Sequence, residues 1–387
     1  MRAILGLLAM TAIVGACGQP SVSSSPSTAG ASNPSQSSIA GSIAGARDAF
    51  VVTLPEIDGV LTRELVVDAV SSDGARRPVA TIADVTSGLP EGTMVVDTEP
   101  IVLTPHGFLT LAVQGPFDGD VVDAVDRRLI FDLRSPGDPP RVVPDGYAFW
   151  GPDGTLAVIG APGVTYVDPT SGHMVQVATT ADLDTATVWA ADGSGLLASR
   201  HDADDTFTPG VLATDGSFVE GVQMPYSTIG IGRPYGADGA VVGDAVSEGP
   251  TGAEQVILEE RPAKAGNLAW LVVHQPGSDP SIDDHAWDAA GTGQWVVLDR
   301  DGTARLVHIT RPTAAGRGTP EEHATLKLPH GARIAGVAAD DTAVVLASGE
   351  LHTATAALWL VDVTTGAAVR IDRLGGASTF AGWAAVR

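Results

Sequence analysis

An all-β fold assembled from repeated small sheets is the class this sequence predicts. Three observations predict it: a turn phrase that recurs, the spacing of its copies, and a composition rich in turn residues. The phrase is clearest at Trp150-Gly151-Pro152-Asp153-Gly154, followed at once by the apolar run Leu156-Ala157-Val158-Ile159. It returns as Trp189-Ala190-Ala191-Asp192-Gly193 and Tyr235-Gly236-Ala237-Asp238-Gly239. Weaker copies stand at Leu103-Thr104-Pro105-His106-Gly107, Trp287-Asp288-Ala289-Ala290-Gly291 and Val337-Ala338-Ala339-Asp340-Asp341. Each reads as an apolar strand end, a short spacer, an Asp-Gly-like turn and a second apolar strand. With 46 Gly and 26 Pro, the chain has the turn residues that many short strands need.

The best copy supports a four-strand unit. Strands are expected at Tyr147-Trp150, Leu156-Ile159, Val164-Val167 and Met174-Ala178. Between them, Asp153-Gly154 and Ser171-Gly172 supply the positive φ that tight hairpins demand. The last full unit repeats the plan at Ile334-Ala338, Ala343-Ala347, Ala357-Asp362 and Ala367-Asp372. Aligned on the first-strand anchor, the copies fall at Leu103, Trp150, Trp189, Tyr235, Trp287 and Val337, spaced by 47, 39, 46, 52 and 50 residues. Four strands on a period of ~40–50 residues define a β-propeller.

A seventh anchor, Trp383, lies 46 residues beyond Val337, and the sequence ends four residues later. That strand has no partners of its own downstream. The amino-terminal region has the complementary lack, with three strands at Phe50-Leu54, Leu61-Val70 and Pro78-Ile82. One strand from the end and three from the beginning would complete a sheet and remove two open edges. The expectation is therefore seven four-stranded blades, closed by pairing of the C-terminal strand with the N-terminal blade. Six blades is the alternative.

The turn phrase resembles that of the WD40-like and TolB-like propellers of exported bacterial proteins, in which Trp-Ser-Pro-Asp-Gly ends the innermost strand. Here Gly151 or Ala190 replaces the serine. The resemblance runs from about Phe50 to Arg387 and implies the fold, with no activity attached to it.

Ahead of the repeats the chain opens with Met1-Arg2, an apolar run from Ala3 to Val14, and Gly15-Ala16-Cys17. A charged start, a short apolar stretch and small residues before a cut make a secretory signal. The run is shorter than the ~20 residues a helix needs to cross a bilayer. Val14-Gly15-Ala16-Cys17 resembles the lipobox of bacterial lipoproteins, which implies removal of residues 1–16 and lipid attachment at Cys17. The chain contains 1 Cys, so this thiol has no internal disulfide partner. Residues 17–47 then form a Ser-, Gly-, Ala- and Pro-rich tether that cannot bury enough apolar surface to order itself. Such a coil reaches ~30 Å. The propeller is assigned to residues 48–387, on the extracytoplasmic side of a membrane.

The formal net charge of -24 argues against a nucleic-acid partner. In the four-strand plan, the second-to-third loop and the interblade loop open on one face. That face collects Asp118, Asp120, Asp123 and Asp126, then His201, Asp202, Asp204 and Asp205, then Asp283, Asp284 and His285 ahead of Trp287. Long loops on a rigid scaffold are where binding sits. These carboxylates suit a cationic partner, or calcium, a hard cation that takes oxygen ligands. They are equally the residues that solvated turns favour. His-Glu-x-x-His, paired-Cys zinc, Gly-x-Ser-x-Gly, dinucleotide and phosphate-loop patterns are all missing. The functional expectation is an envelope binding or scaffolding module with a protein or small-ligand partner. The alternatives are a propeller hydrolase or lyase with channel-mouth carboxylates, and a sensor or assembly subunit of an envelope complex.

Overall fold

In the computed structural model, the described residues are 48–57, 60–95, 101–104, 106–116, 125–144, 146–151, 154–160, 163–178, 183–189, 195–201, 207–220, 241–248, 254–261, 268–274, 281–300, 303–312, 320–327, 332–349 and 357–383. The leader, Cys17 and the tether, expected over residues 1–47, lie outside them. So does the anchor Tyr235.

Every element among the described residues is a strand. The closing sheet holds β1 (Ala49–Ile57), β2 (Val60–Leu61), β3 (Leu65–Val70) and β4 (Arg76–Ile82). The second has β5 (Met94–Val95), β6 (Val102–Leu103), β7 (Phe108–Gly115), β8 (Val125–Asp132) and β9 (Arg141–Pro144). The third has β10 (Tyr147–Trp150), β11 (Leu156–Gly160), β12 (Gly163–Val167) and β13 (Met174–Ala178). The fourth has β14 (Leu183–Trp189), β15 (Gly195–His201), β16 (Phe207–Ala213) and β17 (Phe218–Glu220). The fifth has β18 (Val241–Glu248), β19 (Glu254–Arg261) and β20 (Leu268–His274). The sixth has β21 (Ser281–Trp287), β22 (Gly293–Arg300), β23 (Thr303–Thr310) and β24 (Pro320–Leu326). The seventh has β25 (Arg333–Val337), β26 (Ala343–Ser348), β27 (Ala357–Asp362) and β28 (Ala368–Arg370), and the last strand is β29 (Gly376–Trp383).

The third to seventh sheets are antiparallel meanders in chain order; in the second, β5 and β6 both pair with β7, and in the closing sheet the order is β2-β1-β3-β4 with β29 joining β1. Its register runs from Ala49↔Trp383 to Pro55↔Gly376, with one irregularity between Phe50 and Val51. The amino-terminal and carboxy-terminal strands thus complete one another's sheet. The stretch Leu61-Val70, expected as one strand, is two. β2 makes a short hairpin with the end of β1, and β3 pairs along the other part of β1.

Every described anchor is the final residue of its first strand: Leu103, Trp150, Trp189, Trp287, Val337 and Trp383. The reason lies four residues on. Gly107, Gly154, Gly291 and Asp341 take φ of 85°, 86°, 70° and 56°, the left-handed region, and this turns the chain back into the second strand. Asp341 is the one non-glycine residue at positive φ among the described residues. It accepts the cost because its carboxylate is used elsewhere, as described below.

The core lies between sheets. Phe50, Leu65, Leu109, Leu111 and Leu129 join the closing sheet to the second. Leu156 and Val158 meet Phe108 and Ile130 between the second and third, and Ile159 and Tyr166 meet Leu196 and Leu212 between the third and fourth. Val242 packs with Trp287 and Val296 between the fifth and sixth. Val297 and Leu306 meet Ile334, Val344 and Leu346 between the sixth and seventh. Val345 and Leu360 meet Ala49 and Val51 between the seventh and the closing sheet. Leu103, Trp150, Trp287, Val337 and Trp383 each pack against the sheet preceding their own. The anchor is therefore a wedge between sheets, which explains why a large apolar residue recurs there. First strands also run beside one another: β10 by β14, β21 by β25, β25 by β29, and β29 by β6.

Candidate functional site

The register defines the face on which loops gather. In each sheet the entry of the first strand lies opposite the end of the second: Ser281↔Asp299, Leu183↔Arg200 and Gly376↔Pro55. The connection into a sheet and the connection between its second and third strands therefore open on one side. Asp126, opposite Gln114, is the second residue of β8. His201, opposite Phe207, is the last residue of β15. Both backbone positions are at that side of their sheets. Asp118, Asp120, Asp123, Asp202, Asp204 and Asp205 lie outside the described residues.

Asp283, Asp284 and His285 differ from the expectation of a loop before Trp287. They lie inside β21, because a bulge between Ile282 and Asp284 absorbs one extra residue while pairing to β22 continues. Asp284 then faces the seventh sheet. Its Oδ2 accepts from the Ile334 N–H at 2.8 Å, and its Oδ1 accepts from the His285 N–H at 2.9 Å. Burial raises its pKa above the ordinary carboxylate value, against the lowering effect of those two N–H groups. His285 Nδ1 lies 3.2 Å from Oε1 of the fully buried Gln294. The Asp284 carboxylate thus fastens β21 to β25, in a position the sequence pattern assigned to ligand binding.

A second set of polar groups joins the same two sheets. Asp341 Oδ1 accepts from the Ala289 N–H at 2.8 Å and from Trp295 Nε1 at 3.2 Å, both in the sixth sheet. A glycine at this turn would relieve the left-handed φ and lose both bonds. Asp288, buried at the corresponding turn, accepts from the Thr292 N–H at 2.8 Å and lies 3.2 Å from His308 Nε2. The His308 ring tilts against Trp295, with centroids 4.8 Å apart, and His323 closes on the same indole at 5.1 Å. Sequence reasoning missed this group. The available signal was Asp341 standing where other copies carry Gly.

Burial pushes the Asp288 carboxyl up, but the His308 hydrogen bond and the Thr292 and Gly293 N–H groups outweigh it, so its pKa is lowered. A folded-state pKa below the unfolded one contributes stability above ~4 that is lost as pH falls through the folded value. Asp288→Asn is therefore expected to cost more stability at pH ~7 than at pH ~3. Urea unfolding of both proteins at the two pH values measures this, and an equal difference at each would contradict it.

Among the described residues no group of three or more His, Cys, Asp or Glu could hold a metal ion. Asp284, Asp288 and Asp341 each accept from a backbone N–H, Asp284 and Asp341 across to a neighbouring sheet.

No protein-family model matches the sequence, and no curated protein matches it. Solved structures do match in fold. An oligogalacturonate lyase in complex with manganese is 13% identical with a TM-score of 0.50, covering 85% of this chain and 86% of that one. TolB from Acinetobacter baumannii is 12% identical with a TM-score of 0.41, covering 88% and 67%. The β-propeller domain of the Trilobed protease from Pyrococcus furiosus is 10% identical with a TM-score of 0.40, covering 73% and 98%. The class this fold defines is the β-propeller. Its architecture is similar to that of the lyase, and at 13% identity that likeness carries the fold alone.

Proposed function

We propose that this chain is a lipid-anchored extracytoplasmic propeller that binds a protein or ligand at the cell envelope through its loop face. The carrying observation is the lone Cys17 at the end of a short apolar leader, followed by a tether whose one charged residue is Arg47, ahead of a propeller. A rigid scaffold with its longest acidic connections on one side suits recognition of a cationic surface. Asp118, Asp120, Asp123 and Asp126 with His201, Asp202, Asp204 and Asp205 are the residues assigned to that contact.

Cys17→Ser is expected to move the chain from the membrane fraction to the soluble exported fraction. Retention in the membrane at wild-type level would overturn the anchor. For recognition, the test is in-cell cross-linking of the wild type against a variant with Asp202, Asp204 and Asp205 changed to Asn. Cross-linked partners lost in that variant support the loop face. An identical set of partners in both proteins would exclude it.

A further inference from the structure

Outer strands are the open edges of a propeller, and most of those described here carry a device that discourages pairing. β4 contains Arg76, Arg77 and Pro78, and β9 contains Arg141 and Pro144. β24 begins Pro320-Glu321-Glu322, while β17 and β28 are three residues long and end in Glu220 and Arg370. Charge, proline and shortness are the usual protections of an edge.

β13 has none of them. Its five residues, Met174-Val175-Gln176-Val177-Ala178, include no charge and no proline. It pairs on one side with β12, from Gly163↔Ala178 to Val167↔Met174, and it is the last strand of its sheet. Met174 is 48% exposed and Val175 46%, and Gln176 is exposed between them and the half-buried Val177.

We propose that β13 is a homotypic docking edge, taking the β13 of a second copy of this chain in an antiparallel pair about a two-fold axis at Gln176. The strand is self-complementary in that register. Gln176 meets Gln176, Val175 meets Val177, and Met174 meets Ala178, so every apolar residue finds an apolar partner. Charge is compatible with the same site, although β20, the last strand of the fifth sheet, also has no Asp, Glu, Lys, Arg or Pro. The chain carries a net charge of -24, which opposes self-association over most of its surface. Screening limits that repulsion to ~8 Å at physiological salt, so a charge-free edge is where two copies approach at least cost. A five-rung ladder buries less than the ~1,000 Å² of a stable interface, so the pair is weak in free solution. It gains on a membrane surface, where anchored copies share a high effective concentration. That gain rests on the proposed anchor, whereas the pairing does not.

The test uses single-cysteine reporters in the full chain with Cys17→Ser, which removes its only thiol. Directly opposed residues of an antiparallel pair lie ~4.5–5.5 Å apart at Cα, within disulfide reach. Gln176→Cys is expected to cross-link to itself at least tenfold faster than Glu321→Cys on the protected edge of β24. Val175→Lys added to Gln176→Cys should abolish that excess, with thermal unfolding confirming an unchanged fold. Sedimentation of the Cys17→Ser chain should show a concentration-dependent dimer that Val175→Lys removes. Equal cross-linking at positions 176 and 321, or a monomer at every concentration, would overturn the proposal. Because lipid attachment is absent from this background, failure here is separate from failure of the anchor.

Discussion

Asp68→Ala is expected to lower the unfolding free energy by about 3 kcal/mol, near the lower end for breaking a buried ion pair. Asp68 is fully buried on β3 and is held by residues from the two ends of the chain. Arg373 Nε donates to its Oδ2 at 2.6 Å and an Arg373 terminal nitrogen to its Oδ1 at 2.9 Å, while Arg76 approaches Oδ2 at 3.3 Å. Arg76 also donates to the carbonyl of Asp372 at 2.7 Å, and Asp68 in turn holds the Arg373 guanidinium charged by raising its pKa. The stretch that feeds β29 is thereby clamped to the amino-terminal strands. Removing the carboxylate leaves two cations facing each other. Both arginines are partly exposed, so water recovers part of the loss, which sets the estimate low. Urea unfolding is the measurement, and a change under about 1 kcal/mol, the worth of a surface pair, would sink this account. Asp68→Asn should cost less, since the amide oxygen still accepts a hydrogen bond.

Trp287→Ala is expected to cost about 3–5 kcal/mol, the range for emptying a buried aromatic site. Trp287 is 3% exposed and packs between the fifth and sixth sheets against Val242, Val296 and Leu298. The other indoles at the same repeat position provide the control. Trp150 and Trp383 are only half-buried and pack at the margins of their clusters. Their alanine variants should cost less than Trp287→Ala, in proportion to the area each takes from water. Thermal or chemical unfolding of the three variants gives the order. If all three cost the same, the wedge explanation fails and the recurrence needs another cause.

The acidic-loop reading met the structure at three side chains, and there it changed meaning. A cluster such as Asp283-Asp284-His285 looks like a loop because Asp is poor in strands and favoured in turns. Sequence periodicity cannot reveal that a bulge will admit the extra residue, or that a backbone N–H of the next sheet will take the carboxylate. Asp284 accepting from Ile334 is a contact across 50 residues of chain. The other residues proposed for the loop face are read from composition and topology, and the proposed envelope role is read from the leader.

What the sequence determined alone was the repeat. A large apolar residue, a left-handed turn four positions on and an apolar second strand are local requirements, satisfied within a few residues, so they are written contiguously. The closing partnership was legible for a related reason: an incomplete unit at each end can be counted. The tertiary structure alone decided which polar residues serve the scaffold. Asp68, Asp284, Asp288 and Asp341 all look like ordinary acids of a strongly acidic chain. The roles of Asp284 and Asp341 depend on donors that another sheet brings within hydrogen-bond distance, and those of Asp68 and Asp288 on donors from other strands and connections, none of which a local pattern encodes.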